Sequence, residues 1–476
     1  MPALEQAFTR ASPRLSPREI SLLSHGIRLG VLIFAVLAVS TAFFLHDLMR
    51  WSSGITLLAY DAALLLFVLW KTLPLWRAAT PAEPPVAARP SLGVIIAAHN
   101  EVAVIERTLQ SLLTQTVVPD EILIADDGST DGTAALLIRR FSFVAPAPGG
   151  DSAWISQSTP GLRWLRLPHG GKARALNNAL PLLRSELVVT VDADTRLAND
   201  ALDEMQQAFG RNRSLVAATG VLTPCCDDSP GGRLLQWFQT CEYIRNFMSR
   251  YAWMRANSLL LISGAFAGFR REALLTVGGF DAQCLVEDYE VIHRLHRHAI
   301  EHGHDWQVSV VGSACARTSA PSSLRDFLRQ RQRWFAGFLQ TQHWNRDMIG
   351  NRRFGKLGTL MLPVKSVDTI QPFFGLTAAL TLLGLVLHSE LSLLGLLLGI
   401  ISGKIVIDIV CQVWIIHLYR RLTGGRAQIS LPLAILAILL EPFSFQLLRQ
   451  FAAVLGWYRF LSGRQHWGRQ ARHALA

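Results

Sequence analysis

Two blocks of apolar sequence enclose a polar middle, and this arrangement constrains the chain more than any single motif. Residues 29–45 (LGVLIFAVLAVSTAFFL) carry no charge, and about 17–25 mostly apolar residues suffice for a helix to cross a bilayer. Arg10, Arg14, Arg18 and Arg28 precede this run. No small-residue cleavage site follows a shorter core, so a secretory signal peptide is not expected. Residues 55–76 form a second run, interrupted by Asp61 and Lys71 but edged by Trp70 and Trp76 as interfacial anchors. Residues 1–79 therefore read as a membrane hairpin with its basic start on the cytoplasmic side. The oil returns at 373–387, at 391–418 despite Lys404 and Asp408, and at 431–461, where Glu441-Pro442 interrupts. Residues 355–371 carry Pro363, Lys365 and Asp368 and are expected to lie along the interface.

Composition agrees. Half the residues are hydrophobic and 17% are charged, against about 25% in ordinary soluble domains. Disorder and a disulfide-rich secreted scaffold are excluded by the same figures. Lys and Arg outnumber Asp and Glu by 46 to 35, a net charge of +11. That surplus suits an anionic membrane face or a phosphate-bearing substrate. It lies largely beside apolar segments with no nucleic-acid module, so no nucleic-acid partner is expected. The six cysteines form no CxxC pair, which predicts reduced thiols. Arg420, Arg421 and Arg426 mark a cytoplasmic loop. The basic tail (Arg464, Arg469, Arg472) would lie outside if 431–461 crosses, so either that segment is re-entrant or the positive-inside rule fails here.

Residues 80–90 (TPAEPPVAARP) read as a linker, and 91–353 as a globular unit. Short Val/Ile/Leu runs at 93–97, 122–125 and 187–191 alternate with helical stretches, which predicts an α/β fold with a mostly parallel sheet. Residues 146–161, rich in Gly, Pro and Ser, are expected to be an exposed loop.

Short polar motifs follow the strands. Ala97-Ala98-His99-Asn100-Glu101 and Asp126-Asp127-Gly128-Ser129 each end one, and ligands of open α/β sheets bind beyond the carboxyl ends of strands. His169-Gly170-Gly171-Lys172 opens a helix, where glycines permit close backbone approach and a lysine favours an anion. Asp192-Ala193-Asp194 ends a third strand. Two carboxylates at i and i+2 suit Mg²⁺ or Mn²⁺ shared with substrate phosphates, although a DxD taken alone is more often a turn or cap. Glu287-Asp288 precedes an amphipathic helix and taken alone reads equally as a capping pair. Gln330, Arg333 and Trp334 share one face of a basic helix, whose Arg325, Arg329 and Arg331 read as snorkelling beside the membrane. His293, His296, His298, His302 and His304 invite a metal reading. With Arg294 and Arg297 interleaved, a solvated helix face is the expectation. The aromatic stripe Trp237, Tyr243, Phe247, Tyr251 reads as core packing, with acceptor contact as the alternative.

The set HNE, DDGS, HGGKARALN, DAD, ED and QRQRW, in this order and spacing, resembles the membrane-embedded inverting glycosyltransferases of family 2, the group of the cellulose, chitin, hyaluronan and poly-N-acetylglucosamine synthases. The resemblance covers about residues 91–344. It implies a cytosolic GT-A-like (Rossmann-like) nucleotide-sugar domain flanked by transmembrane helices, with 354–476 forming an interfacial helix, C-terminal membrane helices and a basic tail. It implies that Asn100, Glu101, Asp127 and Lys172 bind the nucleotide, and that Asp192 and Asp194 bracket the diphosphate and its Mg²⁺ or Mn²⁺. Asp288 would be the general base, with Glu287 beside it. Gln330, Arg333 and Trp334 would line the acceptor end, the arginine facing the pyrophosphate. Gly264-Ala265-Phe266 and Gly278-Gly279-Phe280-Asp281 resemble acceptor-side stretches. His99, His169 and Val286 depart from the family pattern.

The implied activity is processive synthesis of a β-linked exopolysaccharide from UDP-N-acetylglucosamine or UDP-glucose, with the glycan passed through the chain's own helices. The partners implied are a UDP-sugar, a growing glycan or lipid acceptor, the inner or plasma membrane and an accessory secretion subunit. Two alternatives stand beside it: transfer of a single sugar to a lipid, and a silent carbohydrate-binding scaffold.

Overall fold

The computed structural model describes residues 2–44, 47–77, 89–146, 152–388, 391–426 and 429–463. The basic tail, most of the linker and residues 147–151 of the 146–161 loop lie outside the described residues. The globular unit is built on one ten-stranded sheet. Its strands are β1 (Leu92–Ala98), β2 (Glu121–Asp127), β3 (Phe143–Val144), β4 (Trp154–Ser156), β5 (Leu162–Leu167), β6 (Leu187–Asp192), β7 (Thr195–Leu197), β8 (Leu215–Cys225), β9 (Phe266–Arg270) and β10 (Gln307–Ser319). Their spatial order is β3-β4-β5-β2-β1-β6-β9-β8-β10-β7.

β5, β2, β1 and β6 run parallel, as the apolar runs predict. β1 is buried along nearly its whole length, and alternate side chains enter two cores: Ile95 on one face, Leu92, Val94 and Ile96 on the other. Burial of both faces explains why these strands read as continuous apolar runs rather than alternating ones. The sheet as a whole is mixed, which corrects the mostly parallel expectation. β9 inserts antiparallel between β6 and β8, and β3, β4 and β7 also pair antiparallel. Part of the expected 146–161 loop is strand β4, where Trp154 packs on buried Trp164 with ring centroids 5.4 Å apart.

Three helices matter for the site. Pro230–Met254 starts at Ser229, whose hydroxyl accepts the Gly232 N–H at 2.9 Å, with Pro230 in the first turn, both strong start signals. Glu287–His302 ends at Gly303 in the left-handed region, the usual glycine stop. Leu324–Trp344 carries the QxxRW residues and starts at Ser323, which accepts the Asp326 N–H.

The histidine-bearing helix corrects the solvated-face expectation for His293, Arg294 and Arg297, while His302 and His304 are exposed as expected. Arg294 is fully buried and ion-pairs Glu290 at 2.7 Å, while Arg297 pairs Asp347 at 2.7 Å. His293 is also fully buried. His298 and His302 stack with centroids 4.0 Å apart at the far end, beside His304 and Trp306. Arg331 does not snorkel either: it is buried against Glu242 at 2.6 Å.

Among the described residues four helices are long and apolar enough to cross a membrane: Leu22–Phe44, Leu48–Trp76, Leu357–Leu387 and Leu393–Leu422. A fifth candidate, Leu431–Phe443 with Phe445–Leu461, bends by 49° at its break, where Glu441-Pro442 falls. The stretch expected along the interface is instead the first part of the continuous helix Leu357–Leu387. Its polar residues are satisfied within the helices: Asp368 takes Lys365 of the same helix at 2.7 Å and the hydroxyl of Tyr60 on Leu48–Trp76, and Gln371 donates to Asp61 of that helix at 2.9 Å. Satisfied in this way, they need not seek the interface.

Candidate active site

A single cavity of about 1740 Å³ begins at the carboxyl ends of β1, β2 and β6 and continues between the long apolar helices. All eleven residues singled out from the motifs line it: Asn100, Glu101, Asp127, Lys172, Asp192, Asp194, Glu287, Asp288, Gln330, Arg333 and Trp334. They come from six places in the chain, the ends of β1, β2 and β6, the helix Lys172–Ala179 and the helices Glu287–His302 and Leu324–Trp344, brought together by the parallel register of β2-β1-β6 and by the helices that cover the sheet.

At the near end the motifs brace one another. Asn100, with a left-handed backbone (φ 58°), accepts the N–H groups of Thr130 and Asp131 through Oδ1 at 2.7 and 3.1 Å. Buried Asp127 accepts the N–H groups of Gly170 and Gly171 at 2.7 and 2.8 Å. His169 Nδ1 lies 2.8 Å from the same carboxylate, and His99 stacks on His169 with centroids 4.3 Å apart. The two histidines that depart from the family pattern thus form one stacked pair. His99, Asp127 and His169 offer three donor atoms within 4.8 Å of one another, an N,N,O set that suits zinc-like ions better than Mg²⁺.

The centre of the cavity is a charge relay of short contacts. Lys172 Nζ donates to Asp192 Oδ1 at 2.5 Å and lies 3.6 Å from Glu287. Burial alone would lower the Lys172 pKa, but Asp192 and Glu287 outweigh it and hold the ammonium charged. Burial raises the Glu287 pKa, and Lys172 opposes that rise. Asp194 is buried at the turn after β6, two residues from Asp192. Both carboxylates face the cavity, and hard oxygen donors of this kind fit Mg²⁺ or Mn²⁺.

Asp288 is held by backbone. Gly264 N–H donates to Oδ2 at 2.7 Å and Tyr289 N–H to Oδ1 at 2.9 Å. Val286 precedes the pair, and its methyls fill the space over Gly337, where an added Cβ would lie 2.6 Å from them. Arg333 Nη1 donates to the Leu285 carbonyl at 2.9 Å, tying the QxxRW helix to the loop that leads into Glu287-Asp288. Gln330 Oε1 is buried without a hydrogen-bond partner among the described residues. The Arg331 guanidinium sits 4.4 Å over the Trp334 ring, a favourable cation–π contact.

Sequence reasoning missed the cavity's far wall. Glu242 takes both Arg331 and Arg449, and Glu441 takes both Arg245 and Arg449. Lys404 pairs Asp408 at 2.5 Å deeper among the apolar helices. The helix Pro230–Met254 also presents Tyr243 and Arg250 to the cavity. Lys404, Asp408 and Glu441 show in the sequence as charges interrupting apolar runs and Tyr243 as part of an aromatic stripe, while Glu242 and Arg245 offer just an i, i+3 spacing, too common to carry weight alone.

Comparison with known proteins gives the family. Residues 93–278 match the family model "Glycosyl transferase family 2", and residues 187–457, more than half the chain, match "Glycosyl transferase family group 2". The poly-beta-1,6-N-acetyl-D-glucosamine synthase of Staphylococcus epidermidis is 29% identical over 248 residues, 52% of this chain and 54% of that protein. The protein of the same name from Staphylococcus aureus (strain COL) is 28% identical over 244 residues, 51% of this chain and 53% of that one. The chain thus spans about half the length of the curated relatives it matches. Among solved structures, a mannosyltransferase of Pyrobaculum calidifontis in complex with GDP-Man and Mn²⁺ superimposes with a TM-score of 0.58 at 20% identity, covering 87% of this chain and 99% of that one. That likeness supports the GT-A-like fold. By its sheet and these matches, the chain belongs to the family 2 glycosyl transferases.

Proposed function

We propose that the protein is a membrane-embedded, inverting β-glycosyltransferase that elongates a glycan from a UDP-sugar, UDP-N-acetylglucosamine or UDP-glucose, and passes the product between its own helices. The observation that carries this reading is the continuity of the cavity. It runs from Asp127, Asp192 and Asp194 past Asp288 and Trp334 to Asp368, Lys404 and Gln412 among the apolar helices. A growing chain needs such a polar path, because hydroxyls and amides cannot enter lipid unpaired. The similarity to poly-beta-1,6-N-acetyl-D-glucosamine synthases supports the same donor and product class.

In this reading Asn100, Glu101 and Asp127 receive the nucleoside end. Asp192 and Asp194 hold Mg²⁺ or Mn²⁺, and the Mn²⁺ complex of the mannosyltransferase neighbour supports a divalent ion in a fold of this kind. When bound, the ion neutralises charge on the diphosphate. Lys172 fixes Asp192 and Glu287, and Arg333 faces the leaving group. Asp288, its carboxylate aimed by Gly264 N–H, takes the proton of the acceptor hydroxyl. Attack from the face opposite the diphosphate inverts the anomeric carbon, so an α-linked donor yields a β-linked product. Gln330 Oε1, buried and unpartnered among the described residues, is placed to accept from a sugar hydroxyl, and Trp334 gives an apolar face for a sugar ring. The catalytic domain is placed on the cytoplasmic side, with the chain in the inner or plasma membrane.

The test is to incubate detergent-purified protein with Mg²⁺ or Mn²⁺ and each labelled UDP-sugar, then to size the product. A high-molecular-weight, metal-dependent polymer from one donor is expected. Label confined to a single-sugar lipid would replace the processive reading with single transfer, and no transfer from either donor would contradict the donor class.

A further inference from the structure

The helix Pro2–Ala11 and the turn after it precede the first apolar helix, yet they pack on the globular unit. Arg14 makes the main polar contact. Its Nε donates to Asp281 Oδ2 at 2.9 Å and its Nη2 to Oδ1 at 3.1 Å, a two-point grip between segments 267 residues apart. Such a fork fixes direction as well as charge. Asp281 is 1% exposed, so the grip lies inside the fold. The Arg14 guanidinium is also 5.8 Å from the ring centre of Phe8 and 5.7 Å from that of Trp344, the last residue of the QxxRW helix. The arm is seated closely around it. A Cβ on Gly278 would meet the Phe8 backbone nitrogen at 2.2 Å, and buried Arg294 sits 4.9 Å over the Phe8 ring.

Asp281 opens the short segment that leads into Glu287-Asp288. Its Oδ1 accepts the Gln283 N–H at 2.9 Å and its carbonyl the Cys284 N–H at 3.1 Å, so the carboxylate held by Arg14 also folds this turn. Just before it, Phe280 exchanges two hydrogen bonds with Asn177, on the helix that begins with Lys172, at 2.8 and 2.7 Å. Further on, Leu285 donates its N–H to Gln340 Oε1 at 3.1 Å and its carbonyl accepts from Arg333 at 2.9 Å. The segment is thus braced by the Lys172 helix, by the QxxRW helix and by the arm. The first two present their own side chains to the cavity, whereas Arg14 does not line it. Through Asp281, Arg14 sets where the segment sits.

We infer that Arg14 is a positioning residue for the transfer, which acts through Asp281 to hold residues 281–286 and hence the Asp288 carboxylate in place against the acceptor. This inference rests on the function proposed above, with Asp288 as base, and extends its supporting structure to the arm before the first apolar helix. Asp127, Asp192 and Asp194 belong to the sheet and not to this segment, so the donor side does not depend on Arg14.

The experiment uses the full chain in detergent with UDP-N-acetylglucosamine and UDP-glucose, reading kcat and KM from UDP release, UDP affinity by calorimetry and thermal unfolding. Arg14→Met alone would leave Asp281 as a buried carboxylate without its partner, a destabilising state. The informative variant is therefore the double Arg14→Met/Asp281→Asn, which removes the pair and keeps an amide oxygen for the Gln283 N–H. Its kcat is expected to fall about tenfold, as a displacement below 1 Å does at a reacting centre. KM for the UDP-sugar and UDP affinity should stay within twofold of the parent. A kcat equal to the parent's overturns the inference, and so does a KM or UDP affinity that worsens as much as kcat. Arg18→Met is the control, since Arg18 meets Glu301 at 3.5 Å in an exposed pair of the kind that contributes little. An equal loss in Arg18→Met overturns the assignment to Arg14. If the double variant does not fold, Arg14→Lys decides, because it keeps the charge and loses the fork: at least a threefold lower kcat at unchanged KM supports the inference, and full kcat overturns it. A parent that releases no UDP from either sugar refutes the donor reading and this inference with it, whereas an active parent with an equally active double variant refutes this inference alone.

Discussion

Gly264 donates its backbone N–H to Asp288 Oδ2 at 2.7 Å, and a Cβ added to Gly264 would lie 3.1 Å from the same carboxylate. The glycine is therefore needed for closeness, and its contact aims the carboxylate we assign as base. Gly264→Ala is expected to leave the fold intact and to lower turnover by about tenfold, since displacements well under 1 Å matter at a reacting centre. Turnover is measured as UDP release, with thermal unfolding as control. Wild-type turnover would show that the contact does not set the geometry.

Arg294 and Glu290 form a fully buried pair, and Arg294 also donates to the carbonyls of Val277 and Gly279. The pair pins the Gly278-Gly279 turn onto the helix that begins with Glu287 and Asp288. Glu290→Gln would leave the guanidinium uncompensated, and the expected loss of stability is about 3–5 kcal/mol. A denaturant or thermal melt of the purified protein checks this. A change below about 1 kcal/mol would mean that the backbone carbonyls alone satisfy Arg294.

His293 gives a pH prediction with a definite sign. Burial pushes its pKa from 6.5 down to about 3, with its Nδ1 on the Tyr289 carbonyl at 2.9 Å. The folded state thus keeps it neutral where the unfolded chain binds a proton, so stability falls as pH drops from about 6.5 towards 3. His293→Phe should flatten the stability profile over that window, measured as melting temperature against pH in detergent. An unchanged profile would assign the acid sensitivity elsewhere.

The hard-oxygen pair Asp192 and Asp194 predicts that chelation abolishes transfer and that Mg²⁺ or Mn²⁺ restores it. Asp194→Asn should raise the metal concentration needed for half-activity by at least tenfold. Full activity in the presence of chelator would remove the metal role from both residues.

Much of the site was legible because its residues fall in short motifs at the carboxyl ends of apolar strands, where position in the sequence already implies position in space. Asp127, Asp192 and Asp194 are of this kind. Glu242 and Arg245 were not legible, because isolated charges on long helices acquire meaning only from what packs against them. The buried histidine helix was misread for a related reason. Charges at helical spacing normally mark solvent, but the carbonyls of Val277 and Gly279 and the carboxylate of Asp347 that cover this helix lie 15 to 50 residues away. The antiparallel insertion of β9 was likewise hidden, since a buried strand carries no sign of its direction. Lys365 and Asp368 suggested an interface, whereas they pair with each other and Asp368 also takes the hydroxyl of Tyr60, which belongs to another apolar segment.

The most direct test of the account is Asp288→Asn, which keeps the shape and the Gly264 contact while removing the base. UDP release from the preferred UDP-sugar should fall by about 10²–10⁴-fold, the range of a lost general base, while UDP affinity stays within twofold of the parent. Turnover equal to the parent's would contradict the assignment of Asp288, and with it the catalytic geometry built around it.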